Sequence, residues 1–139
     1  MIWFEIPGQA KGKERPRNGK GYFYTPQNTK DYEELVKVCY RQKYKEPPTK
    51  EAVKVGIVVW MVSAKSLSKR KRAELENHPP IKKPDIDNIA KIILDGLNGV
   101  AWEDDRQVSS LEIVKLWGHS EKVMVVIQKE SDLNEQGDA

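Results

Sequence analysis

Asp85 and Asp87 stand one residue apart, and Asp104 and Asp105 follow as an adjacent pair. Carboxylates crowded together raise one another's pKa, so their clustering does not stabilise a fold. Four of them brought to one place call for a counter-charge, and a divalent cation that prefers hard oxygen ligands supplies it. Lys91 lies four residues beyond Asp87 and Asp95 four beyond that, so on a helix all three share a face. A Mg²⁺ ion held here would remove the repulsion, activate a water and neutralise charge on a phosphoryl group. Lys91 would then contact the phosphate. A plainer reading stands beside this one: Asp85 or Asp87 as a helix N-cap, Asp104-Asp105 as a solvated turn, and Asp87–Lys91–Asp95 as a surface ladder of small energetic weight. Spacing alone leaves both open.

Other chemistries find less material. The two histidines, His78 and His119, have no cysteine partners for a zinc site and read as loop residues. Cys39, the single cysteine, falls on the apolar side of its helix and reads as core. No Walker A, G-x-G-x-x-G or G-x-S-x-G pattern occurs. An EF-hand is excluded, because Ile89 and Ala90 occupy the places of a third ligand and a glycine.

The elements that must position these groups follow from periodicity. Ile86, Ile89, Ala90, Ile93, Leu94 and Leu97 make one apolar helical face over residues 86–98, stopped by Asn98-Gly99. Residues 2–6 read as a strand ended by Pro7-Gly8, and 9–27 as a long basic loop. A helix capped by Asn28 or Thr29 should stop before Pro47-Pro48. Residues 53–62 form a β-branched buried strand, and Ser68 caps a short basic helix to about Glu76. Residues 107–117 and 123–128 read as two strands joined as a hairpin around Gly118-His119. Residues 129–139 are polar and acidic, and disorder is expected there.

Composition sets the outer bounds. The 139 residues make one domain, with a hydrophobic fraction of 38% and a charged fraction of 32%. No apolar run approaches the ~20 residues of a membrane span. The first residues lack the basic start and apolar stretch of a signal peptide, and with no disulfide available the reducing cytoplasm is the expected compartment. Net charge is +3, but residues 1–128 carry 23 bases against 17 acids. The bases cluster at Lys11, Lys13, Arg15, Arg17 and Lys20, and again at Lys65 and Lys69 to Arg72. Such patches attract phosphate backbones, although a solvated surface explains either one alone.

The ordered series Lys83-Pro84-Asp85-Ile86-Asp87-Asn88, Lys91, Leu94-Asp95-Gly96-Leu97-Asn98-Gly99, Trp102 and Asp104-Asp105 resembles the signature of the RusA family of Holliday junction resolvases. The opening is similar too: Ile6-Pro7-Gly8, Lys13-x-Arg15-Pro16-Arg17, Tyr24-Thr25-Pro26 and Lys30-x-Tyr32-Glu33. The likeness spans about residues 2–128, which are assigned to the nuclease-like domain, with 129–139 as an appended tail. It implies an α+β fold with a small mixed or antiparallel sheet and two to three helices, assembled as a homodimer. It also implies Mg²⁺-dependent nicking of branched DNA, four-way junctions above all, with Mn²⁺ able to replace Mg²⁺. Three essential aspartates and a lysine carry over to Asp85, Asp87, Asp105 and Lys91, with Asp104 the alternative third ligand beside Asp105. Lys13, Arg15, Arg17, Lys69 and Lys83 are the expected DNA contacts. Phe23 with Tyr22 or Tyr24 can stack on bases, although packing beneath the loop is the expectation for at least two of the three. The reading kept against the enzyme is a non-catalytic branched-DNA-binding protein whose acidic cluster is structural.

Overall fold

The computed structural model describes residues 1–137. Its frame is a four-stranded mixed sheet in the order β1-β6-β4-β5, formed by β1 (Ile2–Pro7), β4 (Val53–Met61), β5 (Val108–Trp117) and β6 (Lys122–Lys129). A separate two-stranded ribbon pairs β2 (Arg17–Gly19) with β3 (Tyr22–Tyr24). The helices are α1 (Gln27–Lys43), α2 (Lys69–Glu76), α3 (Ile86–Leu97) and α4 (Glu130–Gly137). This is the expected α+β class with a mixed sheet, but with four α-helices among the described residues instead of the two to three expected, the acidic tail supplying the extra one.

Period-two burial shows which side of the sheet is core. Val53, Val55, Ile57, Val59 and Met61 of β4 are buried, as are Val123, Val125 and Ile127 of β6. Onto that side pack Val36 and Tyr40 from α1, and Ile89, Ile92, Ile93 and Leu97 from α3. Each buried large apolar side chain contributes about 1.5–3 kcal/mol relative to exposure. Phe4 and Tyr40 meet edge to face, with centroids 5.7 Å apart, tying β1 to α1. Helices α1 and α3 touch where Gly96 lies against Val36. A Cβ on Gly96 would stand 3.0 Å from that of Val36, so glycine lets the helices approach this closely without Val36 giving way.

The buried stripe of α3 is rotated slightly from the expected one. Ile92 and Gly96 are buried, Leu94 is half-buried, and Ile86 in the first turn is exposed. Contact with α1 draws the Gly96 side inward.

Four other expectations change. Residues 107–117 and 123–128 do form strands, but not a hairpin with each other: β4 lies between them, parallel to β5 and antiparallel to β6. The parallel β4–β5 pair requires a long crossover, and α2 and α3 fill it. The basic loop contains the β2–β3 ribbon, turned at Lys20-Gly21 with Gly21 at φ +77°. The start of α1 has Pro26 at the N-cap position without a side-chain cap, and Thr29 is buried instead of capping. Ser68 does cap α2, its hydroxyl accepting from Lys71 N at 3.2 Å.

The acidic tail is helical over Glu130–Gly137, where disorder is expected from composition. Asp132 anchors its start, accepting from Lys129 N at 3.0 Å and pairing with the N-terminal amine at 3.4 Å. Glu51 accepts from Ser131 N at 2.9 Å. These acids meet the unpaired N–H groups of a helix start, which outweighs the polar composition locally. Residues 138 and 139 of the expected tail lie outside the described residues.

Candidate active site

Asp85 holds the N-cap position of α3 with extended backbone, yet its side chain makes no capping hydrogen bond. Asp87 follows in the first turn, and both carboxylates are exposed. The helix dipole favours acids there. The capping explanation of Asp85 is thus removed, and its oxygens face solvent. Lys91, one turn past Asp87, is exposed as well.

The second acidic pair splits into two different roles. Asp104 caps a single 3-10 turn, Asp105–Gln107. Its Oδ1 accepts from Arg106 N at 3.0 Å, while Gln107 Oε1 accepts from Asp104 N at 2.8 Å. Gln107 Nε2 then donates to the carbonyls of Thr49 and Glu51, fixing the turn to the segment before β4. Asp105 points elsewhere. Its Oδ1 accepts from the indole Nε1 of Trp102 at 2.8 Å, and Trp102 is wholly buried. One oxygen of Asp105 is therefore oriented by the core.

Burial raises the pKa of Asp105 above the ordinary carboxylate value. The Trp102 hydrogen bond opposes this, the charges of Asp95 and Asp104 add to it, and Lys91 again opposes it. Lys91 and Asp95, whose charges act on Asp105, both stand beyond the first turn of α3. Asp85 and Asp87 stay at the first turn. Among the described residues no three carboxylate, histidine or cysteine side chains gather closely enough to make a ready cage for a metal ion.

Lys13, one of the expected DNA contacts, is paired within the chain. It binds Glu33 Oε1 at 2.7 Å and Asp95 Oδ2 at 3.1 Å, and its side chain is only 18% exposed. Desolvation lowers its pKa, but the hydrogen bonds to Glu33 and Asp95 outweigh this and leave it raised. Lys13 N also donates to Asn88 O at 2.9 Å, which clamps the basic segment to the first turns of α3. Gly12 allows that contact, since a Cβ there would stand 3.0 Å from that of Pro84.

The other expected DNA contacts are exposed: Arg15, Arg17, Lys69 and Lys83. Arg17 pairs with Glu14 at 3.3 Å. Three contacts were not foreseen from the sequence: Trp102 orienting Asp105, and Asp95 and Glu33 together holding Lys13. The three-residue step from Trp102 to Asp105 was the available signal. The Lys13 contacts join distant parts of the chain and leave none.

A sequence profile described as "Endodeoxyribonuclease RusA" matches residues 6–128 of the chain. A Bacillus subtilis (strain 168) protein described as "Uncharacterized protein YqaN" is 30% identical over 138 residues, covering 94% of this chain and 97% of that protein. The match places the chain in a class of endodeoxyribonucleases. The chain belongs to the RusA endodeoxyribonuclease family. No helix among the described residues is long and apolar enough to cross a membrane.

Proposed function

We propose that this chain is a divalent-cation-dependent endonuclease that resolves four-way and related branched DNA junctions by paired nicks. The observation that carries the reading is the hydrogen bond by which the buried Trp102 orients Asp105, in the turn that follows α3, the helix bearing Asp87 and Lys91. A merely solvated turn gives no reason to direct a partly buried carboxylate with a core indole.

The donor set suits a hard cation. Asp85 makes no cap, Asp87 is exposed, and Asp105 has one oxygen fixed by Trp102, its carboxylate made costly by burial in the absence of a positive partner. Asp85 and Asp87 would take up Mg²⁺, or Mn²⁺ in its place, with Asp105 completing the set once the exposed side chains draw in around the ion, while Asp104 serves as the cap that sets the turn. Such an ion, when bound, supplies charge neutralisation at the phosphoryl group and a more acidic water. Trp102 keeps Asp105 in one orientation, so that little reorganisation is needed when substrate arrives. Lys91 presents its ammonium on the exposed face of α3, where it would hold a phosphate oxygen and offset charge developing there. Water adds to phosphorus and the P–O3′ bond breaks, leaving 5′-phosphate and 3′-hydroxyl ends. Arg15, Arg17, Lys69 and Lys83 position the backbone. Symmetric nicking of a junction needs two sites, which a homodimer related by a two-fold axis provides. The compartment consistent with this work is the cytoplasm.

The test is nicking of a labelled four-way junction in Mg²⁺ by wild type and Asp87→Asn, with linear duplex as competitor. Paired nicks near the crossover by wild type alone are the expected result. Equal junction binding by both proteins with no nicks from either would shift the reading to a non-catalytic junction-binding protein.

A further inference from the structure

The β2–β3 ribbon is not used by the acidic site, and its surface is unusual. Three consecutive aromatic residues, Tyr22, Phe23 and Tyr24, are 61%, 75% and 42% exposed. The expectation that at least two pack beneath the loop does not hold. Exposing one large apolar ring is ordinary, but a run of three on a short ribbon is not explained by the fold, which buries none of them. The ribbon packs chiefly on itself.

The ring positions are nonetheless set. Tyr22 lies directly over Gly19, its cross-strand partner, where a Cβ would stand 2.7 Å from the ring Cζ. Tyr22 and Tyr24 share one face of the ribbon, with centroids 6.0 Å apart and planes at 49°. Strand alternation sends Phe23 to the opposite face. The charge along this segment is mostly positive. Arg15, Arg17 and Lys20 are exposed, and Glu14 is the only acid between Lys11 and Pro26, already paired with Arg17. Exposed rings among cations fit nucleobases flanked by phosphates.

Position completes the case. The ribbon begins four residues after Lys13, which is fastened to α3 through Asn88 O and Asp95. The aromatic ribbon is therefore tethered to the helix that carries Asp87 and Lys91.

We propose that the β2–β3 ribbon is a stacking wedge for base faces exposed where DNA strands part, with Phe23 as its leading ring. This rests on the branched-DNA reading above and deepens it, by naming the element that tells a branch from a continuous duplex. Inside a duplex every base face is covered by its neighbours. At a branch point the terminal pairs are uncovered, and a ring can lie against them.

The test is fluorescence-anisotropy binding without divalent cation, at one fixed salt concentration. The ligands are a four-way junction and a linear duplex of matched sequence, and the proteins are wild type, Phe23→Ala, Phe23→Trp and Phe23→Leu. Nicking of the junction by wild type in Mg²⁺ is measured in parallel. Phe23→Ala should weaken junction binding roughly 5- to 100-fold, the weight of one ring–base stack, with duplex binding unchanged. Phe23→Trp should retain junction affinity and Phe23→Leu should not, since stacking needs a π-face rather than bulk. Unchanged junction affinity in Phe23→Ala, equal losses on both ligands, or full affinity in Phe23→Leu would overturn the wedge while wild-type nicking left the nuclease reading intact. Wild type that bound both ligands equally and cut neither would overturn the branched-DNA reading, and the wedge with it.

Discussion

The two ends of α3 carry carboxylates in opposite conditions. At the N-terminal end Asp85 and Asp87 are exposed, and the N-cap position goes uncapped by its own aspartate. Towards the other end Asp95 is bound by Lys13, and Asp105 by the indole of Trp102. One half of the site is fixed by the protein, and the other is left to solvent. A fixed half sets direction and lowers reorganisation during reaction. An exposed half can adjust to what binds, at the cost of ordering its side chains. The lesson is that a repulsive acidic site is tolerable when only part of it is held in place.

Breaking the exposed half should give the largest effect. Asp87→Asn should cut nicking by several kcal/mol of transition-state stabilisation, roughly 100-fold or more, in a junction-cleavage time course. Its thermal midpoint should fall only slightly, because the native side chain is solvated and loses no more than its interaction with the helix dipole, about 0.3–1 kcal/mol. Asp105→Asn should lower nicking to a similar extent but differ in stability. Burial disfavours the charged carboxylate, and asparagine keeps the acceptor for Trp102 Nε1. The metal-free variant should therefore melt at or above the wild-type midpoint in calorimetry, and a lower midpoint would contradict the desolvation account. Trp102→Phe removes only the donor that aims Asp105, together with some core volume. A loss of roughly 10- to 100-fold in nicking is expected, with a raised requirement for Mg²⁺ as the distinguishing readout. Asp104→Ala should have the smallest effect on chemistry. It removes a cap worth about 1 kcal/mol, so the midpoint should fall by roughly 3–5 °C while nicking well below it persists. If Asp104→Ala abolished nicking and Asp105→Asn did not, their roles would be reversed.

Local signals were legible in the chain, and long-range ones were not. The apolar period of residues 86–98, the β-branched run of β4 and the cap at Ser68 each act within a few residues, and all three appear in the fold. The hairpin expected around Gly118-His119 failed because two consecutive strands need not pair, and nothing near them announces β4 between them. The acid contacts of Lys13 depend on α1 and α3 meeting, which in turn depends on Gly96. A three-residue strand such as β2 is too short for alternation to be read. The acidic helix α4 was missed because its first turn is stabilised by Lys129 N, Glu51 and the chain's own amine, none of which composition reveals.

Strand β5 sits at the edge of the sheet and pairs only with β4, through the crossover that contains both acidic pairs. The antiparallel body β1-β6-β4 does not depend on it for its own pairing. Edge elements open at lower free energy than central ones, so β5 amides should exchange with deuterium sooner than those of β6. Asp105 precedes β5 by a single 3-10 turn and travels with it. If β5 opens before the rest of the sheet, the proposed site would be lost while the chain is still folded, and substrate that grips both ends of α3 would delay that loss.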